Sequence, residues 1–424
     1  MSVRIDIDDP RAVRTNYDTI SGRILIFVKT DVKISTILVK LEGESRTQLV
    51  PSSNGHFSKS GLVIETHKIL YHVQQVFPDR SPSSCSTSNI LRAGKHGFVF
   101  NFQIPLQNQC VDYQLTPSEI NVGESRVADA QRQIQNMHVK RLLPPSLMGH
   151  PGFAEIRYFI KVTVRHPQIF KESWRSMTEF NFSPLEPVRP SLTGEELKTS
   201  IPFAFKTKID LTTASQIGAR PKLANSLDIA PKGELHARLP WPAIIRCKET
   251  IPLKLIVRKL NRSSEPIFLV SFALNVLERI KVKVNEQEKT EVSAWVIANL
   301  SGLSVQIGSS FDREGTETVI NHSLWDKFLL PNTIAPSFGT CNIKRNYELD
   351  IRVGLSYGAL EKEKASSQII YLPLRLPIII YSGVSPKTNS AIVNRSAGTQ
   401  DFASVEDLLP SYEEVIAHAD ITSA

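Results

Sequence analysis

The sequence predicts an all-β protein made of two tandem antiparallel β-sandwiches and a disordered C-terminal tail. First, short runs of alternating apolar residues recur along the chain, separated by turn residues about every ten positions. Second, no long segment of helical periodicity interrupts the predicted strands. Third, one turn-and-strand unit occurs twice, which indicates two copies of one domain type. A chain of 424 residues is long enough for two separate cores.

The repeated unit is a proline-led turn that runs into an alternating strand. One copy lies within Leu143–Val164 and the other within Ile334–Val353. Each copy has Pro-Ser and an apolar residue in its turn, at Pro145-Ser146-Leu147 and Pro336-Ser337-Phe338. Four strand positions of the first copy match four of the second, each pair separated by the same number of residues. They are Tyr158, Ile160, Val162 and Val164 in the first copy, and Tyr347, Leu349, Ile351 and Val353 in the second. These positions should face the two cores.

The predicted strands of the first half precede its copy of the repeat. Gly22–Val28 and Ile34–Leu41 are expected to form a hairpin, and Thr66–Phe77 is a further strand. Phe98, Phe100 and Phe102 share one strand face and should form a core stripe. Met177–Phe182 is the last predicted strand of this half.

An insertion at Pro117–Arg141 departs from the strand pattern. Val127, Ala130, Ile134 and Met137 recur at helical spacing, which allows a short amphipathic helix. Its apolar stripe can pack against the sandwich, and the alternative is a membrane-binding helix.

The second half repeats the strand pattern after a Pro/Ser/Thr/Lys-rich connector with room for an edge strand at 201–209. Its predicted strands are Ile251–Val257, Ile267–Leu277, Ile280–Val284, Glu291–Ile307 and Gln368–Tyr381, the last one buried on both faces. The expected segments are therefore a sandwich at 1–185, a connector at 186–234, a sandwich at 235–382 and a tail at 383–424.

Composition indicates a soluble cytoplasmic protein in a reducing compartment. The net charge is +8, without the basic runs or aromatic-basic motifs of nucleic-acid binders. The first residues lack the apolar region of a secretory signal, and no apolar run is long enough to span a bilayer. The four cysteines form no CxxC pair and lie far apart, at Cys85, Cys110, Cys247 and Cys341.

Motifs of catalysis and of metal or nucleotide binding are missing from the sequence. It has no HExxH, GxSxG, P-loop or GxGxxG, and the expectation is a protein without metal, cofactor or enzymatic activity. His166 and His322 are interpreted as turn residues at strand ends. An enzyme built on a β-sandwich is the alternative, and it predicts a clustered polar pocket.

The ordered segments resemble the arrestin family, and specifically its fungal α-arrestin-like branch. The resemblance covers about residues 15–382 and rests on SGRILIFV with ISTILVKLEG, AGKHGFVFNFQIP, LPPSL before EIRYFIKVTV, IPLKLIVRKLNRSSEPI, and APSF before IKRNYELDIRVGLSYG. It implies two immunoglobulin-like sandwiches joined by a hinge. It also implies a non-catalytic adaptor that bridges plasma-membrane transporters or receptors to a ubiquitin ligase whose WW domains bind PPxY or LPxY motifs.

The tail contains one segment that matches such a motif, at Leu409, Pro410, Ser411 and Tyr412. Leu409 stands where proline is usual, and the motif occurs once. A WW domain binds an extended peptide, so Pro410 and Tyr412 would fill two adjacent grooves. Ser411 and Glu414 also form a capping box, which predicts a short helix whose first turn includes Glu413, Glu414 and Val415.

Two alternative interpretations of the tail remain open. The segment can be an amphipathic turn that packs on a sandwich, or Asp407, Leu408 and Leu409 can bind an endocytic coat adaptor. At the level of the whole chain, the alternative to a ligase adaptor is a trafficking or signalling scaffold, for example in ambient-pH sensing. The expected localisation is cytoplasmic, with recruitment to the plasma membrane or endosomes.

Basic side chains of the first half are the candidates for binding acidic or phosphorylated cytosolic segments of cargo. They are Lys29, Lys33, Lys40, Arg46, Lys140, Arg141, Lys161 and Arg165. The alternative is that they are solvated residues that protect strand edges from aggregation.

Overall fold

The structure is a computed structural model. It describes residues 2–50, 61–78, 90–108, 111–112, 141–150, 153–167, 173–206, 230–285, 287–358 and 368–385. The tail motif, and the whole insertion except Arg141, therefore lie outside the described residues. The helical element among the described residues is one 3-10 turn, His322–Leu324.

Twenty-one strands make up the described chain. Those of the first half are β1 (Ser2–Ile7), β2 (Thr19–Val28), β3 (Val32–Lys33), β4 (Thr36–Leu49), β5 (Val63–Phe77), β6 (Ile90–Leu91), β7 (Gly94–Gln103), β8 (Val111–Asp112), β9 (Leu147–His150), β10 (Ala154–Arg165) and β11 (Trp174–Phe180). Those of the second half are β12 (Glu196–Ala204), β13 (Lys232–Pro240), β14 (Ile244–Arg246), β15 (Lys254–Lys259), β16 (Ile267–Val284), β17 (Gln287–Ile307), β18 (Glu317–Val319), β19 (Phe338–Gly339), β20 (Ile343–Tyr357) and β21 (Ile370–Tyr381).

Each half of the chain forms a small sheet and a large sheet. The first small sheet has the order β1-β2-β7, and the first large sheet has the order β11-β10-β4-β5-β8, with β9 paired to β10. The second small sheet is β12-β13-β15-β18, and the second large sheet is β14-β21-β20-β16-β17, with β19 paired to β20. Apolar inner faces make up two core clusters, one for each half. The predicted all-β fold with two antiparallel sandwiches is confirmed.

The repeated strands behave as the sequence predicts. All eight matching positions, from Tyr158 to Val164 and from Tyr347 to Val353, are buried in the cores. β10 and β20 occupy corresponding places, because each lies in its large sheet between two strands, β11 and β4 for β10 and β21 and β16 for β20. In the aromatic stripe, Phe100 and Phe102 are buried, whereas Phe98 is half-buried.

The predicted hairpin of Gly22–Val28 with Ile34–Leu41 is wrong. β2 pairs with β1 and β7 in the small sheet, whereas β4 pairs with β10 and β5 in the large one. Apolar alternation identifies a strand but contains no information on its partner strand. Pairing two consecutive strands is the simplest assumption, and it does not hold here. The chain crosses instead from one sheet to the other.

Two further strand predictions need correction. Ile267–Val284 is one continuous strand rather than two, because the apparent break at Glu278 is a carboxylate buried beside Arg345. β21 is not buried on both faces, since inward Leu and Ile residues alternate with exposed ones such as Tyr371. The prediction for β21 was wrong because some of its outward residues are also apolar.

The predicted connector contains β12, which pairs with β13 along its whole length. The edge strand for which the sequence had room therefore starts at Glu196 rather than at Ile201. The bounds of the four predicted segments stay a prediction.

Candidate functional site

The two copies of the proline-led turn have the same hydrogen bonds. The hydroxyl of Tyr158 donates to the carbonyl of Pro144 at 2.6 Å, and that of Tyr347 donates to the carbonyl of Ala335 at 2.7 Å. Burial raises the pKa of both phenols, so both stay protonated donors. Each tyrosine therefore fixes the turn that precedes its own strand.

The serine of each turn anchors the strand beside it. Ser146 Oγ accepts from the amide of Phe182, and Ser337 Oγ accepts from the amide of Ile380, both at 3.0 Å. Each serine amide also donates to the carbonyl of that same partner. The sequence identified the repeat from its strand pattern, and these hydrogen bonds explain why serine and tyrosine recur with it.

The two turns meet at a cavity of about 470 Å³ between the sandwiches. Pro145 and Ser146 line it from the first half, and Ala335 and Pro336 line it from the second. Ser382–Val384 completes one wall, so the described chain passes along this cavity just before the tail begins. The thiol of Cys247, which also lines the cavity, donates to the Ile334 carbonyl, and burial raises its pKa.

A cluster of uncharged polar side chains joins the sandwiches; we call it the interdomain polar cluster. Its members are Ser45, Thr47, Thr340 and Asn342. The amide of Asn342 donates to the Ser45 carbonyl and to Thr47 Oγ1, both at 3.1 Å, and Asn342 Oδ1 accepts from Ser45 Oγ at 2.6 Å. Thr340 Oγ1 donates to the same Oδ1 at 3.0 Å. Because Ser45, Thr47 and Asn342 are buried, every one of these polar groups depends on its partner across the interface.

The hairpin of β16 and β17 extends this contact. Thr47 Oγ1 donates to the Lys283 carbonyl at 2.9 Å, and Glu65 accepts from the Asn285 amide at 2.6 Å. Val284 belongs to the apolar cluster of the first sandwich, and the Lys289 ammonium lies 4.7 Å from the centre of the Phe153 ring. A strand of the second sandwich thus completes the core of the first.

Leu185 and Glu186, at the border between the first sandwich and the connector, are attached to different sandwiches. The Leu185 amide donates to Asn16 in the first half at 2.8 Å. The Glu186 amide donates to the Val384 carbonyl, and its carboxylate accepts from Arg246 in the second half. The chain therefore passes from the first sandwich to the second between these two residues.

The structure brings together only some of the predicted basic residues. Lys40, Arg46, Lys161 and Arg165 lie on the outward face of the first large sheet, where Lys40 is opposite Lys161. Lys29 follows the end of β2 and Lys33 lies in β3. Arg141 contacts Gly339 of the second half, and Lys140 is outside the described residues.

Acidic residues partly neutralise this outward face. Glu42 lies buried between β5 and β10, with the Lys68 ammonium 3.2 Å from its carboxylate. Burial and the neighbouring Glu42 raise the pKa of Glu44, although Arg157 opposes the effect. The face is therefore a mixed ionic surface rather than a purely cationic one.

The histidines singled out from the sequence have structural partners. The His166 ring packs at a tilt of 58° against Trp174, with the ring centres 4.2 Å apart, and His322 lies 3.2 Å from the Asp326 carboxylate. Within the described ranges, no group of histidine, cysteine or acidic side chains is arranged to hold a metal ion. The motif from Leu409 to Tyr412 and its flanking residues Glu413, Glu414 and Val415 lie outside those ranges.

Sequence reasoning missed the interdomain polar cluster. Ser45, Thr47 and Asn342 are isolated polar residues without a motif. One signal was present, because Ser45 and Thr47 occupy inward positions of a strand whose other inward residues include Val39 and Leu41. A polar residue at such a position needs a partner, although the sequence does not identify it.

Two antiparallel sandwiches that share a buried polar interface form a two-domain body. Residues 3–111 match the family model described as Arrestin (or S-antigen), N-terminal domain. This match supports the arrestin family for the chain. No curated protein matches the sequence. No helix in the described part of the chain is both long and apolar enough to cross a membrane.

Proposed function

We propose that this protein is an adaptor of the fungal α-arrestin-like type, without catalytic activity. Its sandwiches would bind cytosolic segments of plasma-membrane transporters or receptors. Its tail would recruit a WW-domain ubiquitin ligase of the HECT class, which would lead to ubiquitination and endocytosis of the cargo. The protein would be cytoplasmic, with recruitment to the plasma membrane or endosomes.

The observation that carries this proposal is the Leu409–Tyr412 motif in a tail that follows an arrestin-type body. Proline and tyrosine two positions apart are the pair that WW grooves bind. Val384, the point where the tail leaves the body, is bonded to Glu186 and lies 25 residues before Leu409. A flexible chain of that length would have a root-mean-square span of about 25–30 Å, which would let a ligase reach lysines of a cargo held on the sandwiches.

The test is a titration of a labelled 404–419 peptide, and then of the full chain, with isolated WW domains. We expect micromolar binding, because a single short peptide contact is weak. Tyr412→Ala and Pro410→Ala should each abolish it. Asp407→Ala is the matched control, since it alters the neighbouring acidic-dileucine sequence and leaves the WW motif intact.

The control also separates two interpretations of the tail. The ligase proposal would be contradicted if the unaltered peptide did not bind WW domains but did bind a coat adaptor, and if Asp407→Ala abolished that coat-adaptor binding. The remaining candidate would then be an arrestin-fold trafficking or signalling scaffold. Leu409 in place of the usual proline is the specific observation that favours this second candidate.

A further inference from the structure

The outward face of the first small sheet combines exposed apolar and basic side chains; we call it the β2 face. On β2, Leu25 lies opposite Arg4 of β1 and Gly97 of β7, and Phe27 lies opposite Lys95. Leu25 is 41%, Phe27 42% and Val99 68% exposed. The inward residues of the same strand are buried, and Leu25 and Phe27 add two apolar side chains to its outward face. A solvated sheet face is normally polar, and this departure needs an explanation.

Cations outnumber acids on the β2 face. Outward positions of the three strands carry Arg4, Arg23 and Lys95, and one acid, Asp6, which pairs with Arg4 at 2.7 Å and lies opposite Arg23. Arg23 and Lys95 are exposed, and neither forms an ion pair among the described residues. At the borders of the face, Lys29 and Arg92 lie close to Asp31, which accepts from the Ala93 amide, and Asp8 accepts from Ser21 Oγ.

The second small sheet provides an internal comparison, because it corresponds to the first in the repeat. Its outward face carries Arg238 between Glu196 and Glu317, with nitrogen–oxygen distances of 3.4 and 3.5 Å. Arg258 is flanked by Glu234 and Glu317 on the neighbouring strands. Lys198, Lys232 and Lys254 share this outward face, so cations outnumber acids there as well. The difference lies in the apolar residues, because the outward positions of β13 are Lys, Glu, His, Arg and Pro where β2 exposes Leu25 and Phe27. The fold itself therefore does not require the apolar residues of the β2 face.

We propose that the β2 face binds the surface of an anionic lipid bilayer. Basic side chains near an anionic leaflet each strengthen binding, and apolar side chains enter the region between headgroups and acyl chains. Arg23, Leu25 and Phe27 alternate along one strand, so each apolar side chain stands beside a cation. This arrangement fits a broad charged surface better than a peptide, which needs a continuous groove. Neither of the two described cavities includes a residue of this face.

The face is rigid where it would contact lipid. β2 is the central strand of its sheet and is paired on both sides over nearly its whole length. Gly97 leaves open space beside Leu25, since an added Cβ there would meet only the end of that side chain at 4.0 Å. Leu25 and Phe27 can therefore project without refolding. This inference concerns a surface of the first sandwich and does not depend on the tail motif.

The experiment is co-sedimentation of the full chain with vesicles of phosphatidylcholine alone or of equal parts phosphatidylcholine and phosphatidylserine. We expect binding to the anionic vesicles only, weakened by salt. Arg23→Gln with Lys95→Gln should weaken it about 30-fold, since each cation near the surface contributes about fivefold. Leu25→Thr with Phe27→Thr should weaken it about tenfold or more. Lys254→Gln with Arg258→Gln, on the second small sheet, is the matched control and should bind normally.

Several outcomes would overturn the inference. They are absence of binding to anionic vesicles, equal loss in the control pair, and full binding after the Leu25 and Phe27 changes. Binding of the full chain to native membranes is also measured before and after the membranes are treated with protease. If the treatment abolished binding, the partner of the β2 face would be an acidic membrane protein and the lipid proposal would be wrong. Equal thermal unfolding midpoints of the variants establish that the changes act on the surface rather than on folding.

Discussion

Tyr158 and Tyr347 illustrate how single side chains hold the repeated unit. Each ring is almost fully buried, and each hydroxyl has a backbone carbonyl in the preceding turn as its acceptor. A buried carbonyl that loses its donor bears the full cost of desolvation, whereas a solvated one does not. The tyrosines therefore connect core packing with the shape of the turns that line the interdomain cavity.

The first prediction concerns these two hydroxyls. Tyr158→Phe and Tyr347→Phe should each lower the free energy of unfolding by about 1–3 kcal/mol, because the ring stays packed while the carbonyl loses its donor. Urea unfolding followed by fluorescence measures the change. Tyr371→Phe is the control, since Tyr371 is 68% exposed and should change stability by less than about 0.5 kcal/mol. Equal losses in all three variants would contradict the role of the hydroxyls.

At the scale of elements, one position of the repeat is used in two different ways. Gly43 on β4 faces Tyr158, and the corresponding position on β16, facing Tyr347, is Glu278. A Cβ on Gly43 would lie 2.8 Å from the Tyr158 ring, so the first copy needs the absence of a side chain. The second copy buries the Glu278 carboxylate beside Arg345 and accepts a hydrogen bond from Ser293 at 2.7 Å. The strand pairing is the same, and the local packing is different.

The second prediction follows from this crowding. Gly43→Ala should destabilise the chain by about 1–3 kcal/mol, because the new methyl group overlaps the tyrosine ring and Leu70. Gly97→Ala, in another strand of the same sandwich, should be close to neutral, since its nearest neighbour would be 4.0 Å away. Thermal unfolding of both variants measures the difference. A neutral Gly43→Ala would show that β10 can shift to make room.

At the scale of the whole molecule, the interdomain polar cluster decides whether the sandwiches act as one body. Asn342 takes part in four hydrogen bonds with Ser45, Thr47 and Thr340. None of these side chains titrates near neutral pH. The contact should therefore be insensitive to pH in that range, and it should be lost only when the interface is opened or altered.

The third prediction is that Asn342→Ala loosens the interface. Several buried groups then lose partners, at a cost of about 1–3 kcal/mol for each group left unsatisfied. Amide hydrogen exchange should accelerate at Asn285, whose backbone amide donates to Glu65 across the interface, and at Lys283, whose backbone amide donates to the backbone carbonyl of Asn342. Asn346→Ala, at an exposed position of β20, the strand that follows Asn342, is the matched control. Unchanged exchange in Asn342→Ala would mean that apolar contacts alone hold the sandwiches together.

The sequence by itself determined the strand content, the repeat and the residues that face the cores. These features follow from local periodicity, which a strand imposes on its own residues. The proline-led turns were identified for the same reason, since their residue types are contiguous. The tail motif was also found locally, and its role stays a prediction.

Only the tertiary structure decided which strands pair and how the sandwiches meet. β2 and β4 are neighbours in sequence but belong to different sheets, and nothing in either strand specifies its partner. Ser45 and Asn342 are 297 positions apart, and their partnership depends on how two complete domains pack. In the sequence, the apolar residues on the outward side of β2 look like ordinary strand residues. Only the sheet order shows that they lie beside Arg4 and Lys95. Long-range pairing depends on the sum of many packing contacts, and no single segment of the chain contains that information.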